Sequence, residues 1–244
     1  MRLLQEADSV TGKVGNFTFS GIRPEKLGST EYTLVNLNLD RTGSTSAFAS
    51  ELKQVVAEVV EACKKSPRAE FLLLRYVQFN SQVSEVHGFV PVNSIDSTQL
   101  TDVSCTGATA LYDAVYAGAK ATNEYAKILT DQYYQVNAIN ITITDGDDNT
   151  SIHQVNEVKS ALKEGVEKEV LESNMSILIG VNEQSVYMKN KLEEFKNNAE
   201  MDQYVGMQDV DRQSLAKLAK FISKSISSQS QSLGTGGKSQ TFTF

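Results

Sequence analysis

Cysteine is scarce in this sequence. The 244 residues include only Cys63 and Cys105, which lie far apart in the chain. Two distant cysteines provide neither a disulfide framework nor the ligand spacing of a zinc site. Cys63 falls on the apolar face of a predicted helix and is interpreted as a small core residue. A reducing environment suits such a chain, so we predict a cytoplasmic location.

Long apolar runs are also missing. The N-terminal sequence MRLLQEADSV has no apolar core of the kind that a signal peptide requires. No stretch approaches the roughly 18 to 20 apolar residues that cross a bilayer. These two absences predict a protein without a membrane segment, in keeping with the cytoplasmic location.

Basic charge is in deficit. The chain has 30 acidic and 23 basic residues, a formal charge of −7, and no long basic run. Proteins that grip nucleic acids need patches of Lys and Arg for the phosphates. We therefore predict no nucleic-acid partner. An acidic balance suits a site that gathers cations.

The familiar catalytic motifs are absent as well. The sequence has no Walker loop, no G-x-S-x-G and no Cys–His pair at a known spacing. The GTGG of residues 234–237 lies in a Ser-rich stretch rather than after a strand, so it is not a phosphate cradle. His87 and His153 are isolated in the sequence and are interpreted as structural or surface residues. We predict that the protein is not an enzyme.

Strand and helix patterns alternate along the chain. Apolar residues recur at helical spacing over residues 52–63, and similar patterns follow each later strand. This alternation predicts an α/β fold, a mostly parallel central sheet with helices on both faces, Rossmann-like in its layers. Residues 83–92, which contain Pro91, predict one antiparallel edge strand. The buried strands are predicted at residues 32–39, 71–79, 136–144 and 175–181.

The composition divides the chain into three parts. Residues 1–29 are an N-terminal extension, compatible with a hairpin that has Asn16 to Ser20 as one arm. Residues 30–227 form the main domain. Residues 228–244 are rich in Ser, Gln and Gly and predict a flexible tail. Its last four residues, TFTF, are expected to be a disordered end, and the alternative is that they add as a strand to a sheet edge.

Three polar segments stand where the predicted strands end. The segment DRTGS at residues 40–44 follows the first buried strand, and DGDDN at residues 145–149 follows a later one. The segment GATALYDA at residues 107–114 opens a helix. Ligands of parallel sheets bind beyond the carboxyl ends of the strands. We therefore expect the three segments to meet at one site.

These segments supply oxygen atoms, the ligands that hard divalent cations prefer. Two carboxylates and three hydroxyls are available, and Gly43 allows the loop between Thr42 and Ser44 to bend. Mg²⁺ suits such a set and usually retains several waters, and Mn²⁺ and Ca²⁺ remain open. Asp147 and Asp148 are interpreted as solvated loop acids or residues that act through water, and Asp113 as a brace for its helix.

The three segments together resemble the metal-ion-dependent adhesion site of von Willebrand factor A-type domains. That site has an Asp-x-Ser-x-Ser motif, then a Thr in a loop that opens a helix, then an Asp after a strand. The resemblance extends over roughly residues 30–226, and Thr42 stands where Ser is usual but keeps the hydroxyl. The chain also resembles the stand-alone intracellular bacterial and phage members of this family. The resemblance implies the von Willebrand factor A fold and, as ligands direct or through water, Asp40, Thr42, Ser44, Thr109 and Asp145.

The resemblance also implies a function. It predicts a metal-dependent protein-binding module, a scaffold or signalling adaptor, in which an acidic residue of a protein partner completes the coordination of the cation. One alternative is a structural subunit of a larger assembly, such as a phage component. Another is a metal-dependent phosphatase, because residues 38–42 superficially resemble the Asp-x-Asp-x-Thr motif of haloacid-dehalogenase-type enzymes. Asn38 replaces the nucleophilic Asp there and cannot form an acyl-phosphate. The oligomeric state is not predictable from these patterns.

Overall fold

Eight strands form one sheet in the computed structural model, which describes residues 8–100, 104–233 and 240–244. In chain order the strands are β1 (Ser9–Val14), β2 (Phe17–Ile22), β3 (Glu31–Asp40), β4 (Leu72–Phe79), β5 (Val83–Pro91), β6 (Gln135–Thr144), β7 (Asn174–Gly180) and β8 (Gln203–Gly206). The α-helices of the described residues are α1 (Ala49–Lys64), α2 (Leu111–Thr130), α3 (Val155–Glu167), α4 (Val186–Asn198) and α5 (Arg212–Ser232).

The sheet is mostly parallel, as predicted. Across the sheet the strands follow the order β1-β2-β5-β4-β3-β6-β7-β8. Strands β4, β3, β6, β7 and β8 run parallel to one another, and β5 runs antiparallel to β4. Beyond β5 the antiparallel hairpin β1–β2 extends the sheet, joined to it by the parallel pair Gly21 and Phe89. The predicted α/β class is confirmed.

Helices cover both faces of the sheet. On one face α1 and α5 pack against side chains such as Leu37 and Ile141 in one apolar cluster, which also contains Cys63 as predicted. On the other face α2 packs against Leu34 and Leu73, with α3 and α4 beside it. Because side chains alternate along a strand, the near-continuous apolar runs of β3, β4 and β6 fill both layers.

The two ends of the chain are built into this fold more closely than their composition indicates. The hairpin lies over α2, where the Tyr125 hydroxyl donates to the Ile22 carbonyl at 2.7 Å. At the other end α5 passes residue 228, the predicted start of the tail, and continues to Ser232. Gln229 is fully buried, and its Nε2 donates to the Ala138 carbonyl at 2.9 Å. Composition could not reveal this, because the buried residues there are polar. The GTGG segment lies outside the described residues.

A polar network lies beneath α2. Gly118 of α2 sits so close to the sheet that a Cβ there would lie 2.4 Å from the Asn36 amide nitrogen. The Asn36 carbonyl oxygen accepts from Nη1 of the buried Arg75 at 2.8 Å, and Arg75 Nε donates to Glu85 at 2.6 Å. Glu85 also accepts from the hydroxyl of Ser20 at 2.6 Å, so this network ties the hairpin to the central sheet.

Membrane-spanning helices are not found in the part of the chain that the structure describes. None of its helices combines the length and the apolar composition that a bilayer crossing requires.

Candidate metal centre

The three polar segments meet at the carboxyl ends of β3 and β6. These two strands are neighbours in the sheet and parallel. The chain leaves β3 towards α1 on one face and leaves β6 towards α3 on the other face. Connections that depart to opposite faces open a crevice between the strand ends, which is where ligands bind in such sheets. Asp40 ends β3, and Asp145 directly follows β6.

Asp40 is fully buried in this crevice. Its Oδ1 accepts from the backbone N–H of Thr42 at 2.8 Å, and its Oδ2 accepts from the hydroxyl of Thr144 at 2.6 Å. Burial raises the pKa of Asp40 to about 6, against the opposing effect of these hydrogen bonds, and the charge of Asp145 raises it further. A cation beside this carboxylate would favour its ionised form and so oppose the effect of burial.

Hydroxyl groups connect the two acids. The Thr42 and Ser44 hydroxyl oxygens lie 3.0 Å apart, and the Ser44 hydroxyl donates to Asp145 Oδ1 at 2.8 Å. Burial also raises the pKa of Asp145, which the hydrogen bond from Ser44 opposes. Residues 43–48 form a 3₁₀ turn that brings Thr42 and Ser44 to the same side. Four of the five predicted residues thus form one connected group.

Thr109 completes the group from the loop before α2. Its side-chain oxygen lies 3.6 Å from the position that a Cβ on Gly146 would occupy, so it is beside the segment that carries Asp145. The Thr109 N–H donates to Asn149 Oδ1 at 2.8 Å, and the Asn149 N–H donates to the Thr109 carbonyl at 3.0 Å. This paired contact fixes Thr109 against the loop that follows β6.

The turn after β4 supports the Thr109 loop, a role that the sequence did not reveal. Asn80 accepts from the Ala110 N–H through its carbonyl at 2.8 Å, and its Nδ2 donates to the Thr106 carbonyl at 2.8 Å. The Ser81 hydroxyl accepts from the Ala108 N–H at 3.0 Å. Two polar residues after a strand are common in α/β proteins, so the sequence alone could not identify Asn80 and Ser81 as supports of this loop.

The loop after β6 also caps α2. Asp148 accepts from the Tyr112 N–H at 3.2 Å, which places this acid on a helix N-terminus instead of in solvent. The Asp113 carboxylate accepts from the His153 N–H at 3.0 Å, so it ties the start of α2 to the loop before α3. His153 is not isolated, since its Nδ1 lies 2.7 Å from Asp113 Oδ1. This contact is consistent with the structural role that the sequence indicated for His153, and the partner itself could not be recognised because Asp113 lies 40 residues away in the chain.

The donor set fits a divalent cation of the oxygen-preferring kind. The described residues contain no cluster of three His, Cys, Asp or Glu side chains that could hold a metal, so hydroxyls are essential here. Two carboxylates whose pKa values are raised by burial stand together with three hydroxyls. The main influences on the two pKa values are burial, hydrogen bonds and, for Asp40, the charge of Asp145, and none of these is a cationic side chain. A cation would therefore offset the cost of burying the two charges.

One strand further along this edge lies a second buried acid, Glu183. A Cβ on Gly180 would lie 2.4 Å from Glu183 Oε1, and one on Gly206 would lie 2.2 Å from Oε2, so the carboxylate rests on both glycines. Within the described residues, Oε1 and the nearby Tyr204 hydroxyl have no hydrogen-bond partner. Burial raises the pKa of Glu183 to about 7.

Replacing Glu183 by glutamine is expected to stabilise the protein at alkaline pH. Below the unfolded-state pKa of 4.5 the acid is protonated in both states and the change is nearly neutral. Above about pH 7 the folded state of the natural protein must bury a charge, a cost that Glu183→Gln removes, roughly 1–3 kcal/mol. Urea unfolding at about pH 3.5 and about pH 8, on either side of the two pKa values, measures this. An equal gain at both pH values would show that charge is not the cause.

Comparisons with known proteins rest on structure alone. No protein-family model matches the chain, and no curated protein matches it in sequence. A mutant of the PilB minor pilin from Streptococcus sanguinis has a TM-score of 0.61, with 13% identity over 87% of this chain and 65% of that one. Proximal thread matrix protein 1 from the mussel byssus, solved with a zinc-occupied metal-ion-dependent adhesion site, has a TM-score of 0.53, with 16% identity over 80% and 46%.

A third similar structure is the ArnB paralog VWA2 from Sulfolobus acidocaldarius. Its TM-score is 0.53, with 11% identity over 81% of this chain and 46% of that chain. The chain spans less than two thirds of the length of each of these three proteins. At such identities the likeness shows the fold alone, and the chain has a von Willebrand factor A-like fold.

Proposed function

We propose that this chain is a von Willebrand factor A-type module that binds a protein partner through a divalent cation. The ligands, direct or through water, would be Asp40, Thr42, Ser44, Thr109 and Asp145. The observation that carries the proposal is the meeting of these five oxygen-bearing side chains, from three loops, at the switch point between β3 and β6. An acidic residue of the partner would complete the coordination.

The charge of the site supports an acidic partner. Its hydroxyl groups are neutral, so two carboxylates at most balance the double charge of the cation. A further anionic oxygen from outside would then be attracted in this poorly solvated crevice. Mg²⁺ is the first choice because all the ligands are hard oxygens, and Mn²⁺ and Ca²⁺ remain alternatives.

Calorimetric titration of chelator-stripped protein with Mg²⁺ and with Mn²⁺ tests the proposal. We expect saturable binding with one site. Ser44→Ala removes a hydroxyl that contacts Asp145 and should weaken binding at least tenfold. Ser46→Ala is the matched control, because Ser46 is an exposed serine in the same turn. Equal affinities in the two variants would contradict the assigned ligands.

Partner binding needs its own measurement. A metal-dependent partner should be retained by immobilised protein in Mg²⁺ and released by a chelator, and Ser44→Ala should retain much less of it. If the partner is retained equally with and without the cation, the metal has no role in partner binding, even if the ion itself binds.

Asn38, two residues before Asp40, supports a binding function over hydrolysis. It occupies the place that a phosphatase of the haloacid-dehalogenase type gives to its nucleophile. Asn38 is buried, and its Nδ2 donates to the Ala114 carbonyl at 3.3 Å and to the Thr142 hydroxyl at 3.1 Å. A group held between a helix and a strand is not presented to a substrate. We accordingly propose that the protein is not an enzyme, and a phosphatase assay with the metal-loaded protein tests this.

Asn149 is expected to control metal affinity without touching the ion. Its side-chain oxygen accepts from the Thr109 N–H at 2.8 Å, and this bond, which alanine would remove, helps to hold Thr109 against the loop of Asp145. The bond from the Asn149 N–H to the Thr109 carbonyl is a backbone bond and would remain. Asn149→Ala should therefore weaken Mg²⁺ binding by about 10- to 100-fold, as changes of supporting residues do at metal sites. Titration calorimetry measures the affinity, and Asn197→Ala, at the far end of α4, serves as the control. An unchanged affinity would show that Thr109 does not need this support.

Two further sequence predictions stay with the proposal. Membership of a larger assembly, such as a phage particle, is the alternative function, and it would appear as a chain that copurifies with other subunits in fixed ratio. The cytoplasmic location and the likeness to intracellular members of the fold are also predictions, which cell fractionation tests.

A further inference from the structure

Residues 240–244 lie against the outer side of α5 and the start of β8. The Lys224 ammonium stands 4.2 Å from the centre of the Phe242 ring, and the Phe242 carbonyl accepts from Gln203 Nε2 at 2.5 Å. The Phe244 ring meets the buried Phe221 edge-on, with centroids 5.8 Å apart and planes at 89°. The expectation of a disordered end was wrong for these five residues. They do not form a sheet strand either.

These contacts are specific for two aromatic side chains separated by one residue. Phe242 also packs on the apolar cluster of α1 and α5, whereas Thr241 and Thr243 are exposed. In an extended segment, residues two apart point to the same side, so Phe-x-Phe presents both rings to one surface. A cation over one ring, an edge contact to the other and a hydrogen bond to the carbonyl between them together recognise an aromatic-x-aromatic peptide.

We propose that this face of α5 and β8 is a peptide-binding site for a Phe-x-Phe segment. The partner that it fits is residues 242–244 of a second copy of this chain, exchanged with the chain's own segment. Phe244 is 45% exposed even when docked, so the contact within one chain is small and can open. The connecting residues GTGGKS at 234–239 are rich in glycine, a composition that allows many paths.

The length of the linker determines how easily the segment returns to the site of its own chain, and shortening it favours a second copy. Phe242 contacts Lys224, eight residues before Ser232 where α5 ends, so the segment returns about 12 Å along the helix. The nine residues 233–241 span up to about 30 Å, which reaches this point easily. Deleting residues 234–239 leaves three residues between Ser232 and Phe242. Their reach of about 13 Å barely exceeds the return distance and leaves no length for the turn that reverses the chain direction. Docking within one chain is then strained and disfavoured, whereas docking onto a second copy does not depend on the shortened linker.

Light scattering after size exclusion tests the exchange. The full chain lacking residues 234–239 is expected to form dimers or longer species at concentrations where the unaltered chain does not change mass. Adding Phe242→Ala and Phe244→Ala to the deletion should restore the mass of the unaltered chain. Adding Thr241→Ala and Thr243→Ala instead is the matched control and should not. A deletion variant that is folded and keeps the unaltered mass up to about 1 mM overturns the proposal.

A peptide titration keeps the site testable where the deletion variant does not fold. The full-length Phe242→Ala, Phe244→Ala protein leaves the site free, and the peptide Gln-Thr-Phe-Thr-Phe should bind it saturably. Lys224→Ala should weaken this binding at least fivefold, since it removes the cation over the ring. Absence of binding at millimolar peptide overturns the site. Both experiments are run with a chelator present, so their outcome is independent of the proposed metal centre.

Discussion

Asp40→Asn is expected to abolish tight Mg²⁺ binding and, at the same time, to make the metal-free protein more stable at neutral pH. The substitution removes the only fully buried carboxylate of the proposed metal centre and should reduce Mg²⁺ affinity at least a hundredfold. The hydrogen bonds survive. The asparagine oxygen can accept from the Thr42 N–H, and its amide can donate to the Thr144 hydroxyl, which turns to the Gly146 carbonyl 3.1 Å away.

The gain in stability follows from the raised pKa of Asp40. In the unfolded chain the acid ionises near its usual value of 3.8, and in the folded chain near 6. Below about pH 4 both states hold the proton and the substitution changes little. Above pH 6 the folded natural protein must bury the charge, at a cost of roughly 2–3 kcal/mol that Asp40→Asn removes. The gain should therefore appear as pH rises from 4 to 6.

Urea unfolding in the presence of a chelator, at pH 4 and pH 7.5, measures the stability, and calorimetry measures Mg²⁺ affinity. Asp131→Asn, at the far end of α2 in an exposed pair with Lys127, is the matched control and should change neither quantity appreciably. If Asp40→Asn destabilises the protein at both pH values, Asp40 is a structural residue of the loop. If the variant still binds Mg²⁺ tightly, the metal centre lies elsewhere.

Glu85→Gln is expected to cause the largest loss of stability of any single conservative change proposed for this chain. Arg75 is 1% exposed, and its Nε donates to Glu85 at 2.6 Å. Burial lowers the pKa of Arg75, and the charge of Glu85 opposes that shift. Without the carboxylate a buried guanidinium lacks its counter-ion, which typically costs about 3–5 kcal/mol. Ser20 also loses an acceptor, so the β1–β2 hairpin should loosen together with the core.

A double-mutant cycle with Arg75→Gln separates pairing from packing. The double variant should lose less stability than Glu85→Gln alone, because removing both charges leaves no unpaired ion in the interior. Urea midpoints provide the free energies, and amide exchange of residues 17–22 reports on the hairpin. A loss below 1 kcal/mol for Glu85→Gln would mean that water reaches Arg75 and that the pair is not structural.

The sequence predicted the features that depend on periodicity and on strand ends. Buried parallel strands produce near-continuous apolar runs, so β3, β4, β6 and β7 were recognisable, and an acid directly after a strand marks its carboxyl edge. Asp40 and Asp145 lie at that edge in the structure. The assignment of metal ligands remains a prediction, since it depends on a resemblance of motifs.

The supporting residues could not be predicted in the same way. Asn80 and Asn149 act through backbone groups 26 to 40 residues away, and single polar loop residues have no periodicity that would mark such contacts. The buried Gln229 was assigned to a flexible tail for a related reason, since its burial depends on a carbonyl of β6 that only the folded sheet supplies. Tertiary partners, more than local preference, decide these positions.

The short outer strands of the sheet have a consequence for aggregation. One edge of the sheet ends on β1, six residues that include Gly12 and Lys13, and the other ends on β8, four residues long. Short outer strands and a lysine at the edge discourage strand-to-strand pairing between molecules, and the glycine weakens the edge strand itself. Loss of the hairpin would expose β5, in which Phe89 and Val90 are apolar and buried, as the new edge. Variants that release the hairpin should therefore form fibrils or precipitate sooner than variants that lose the same free energy of folding elsewhere.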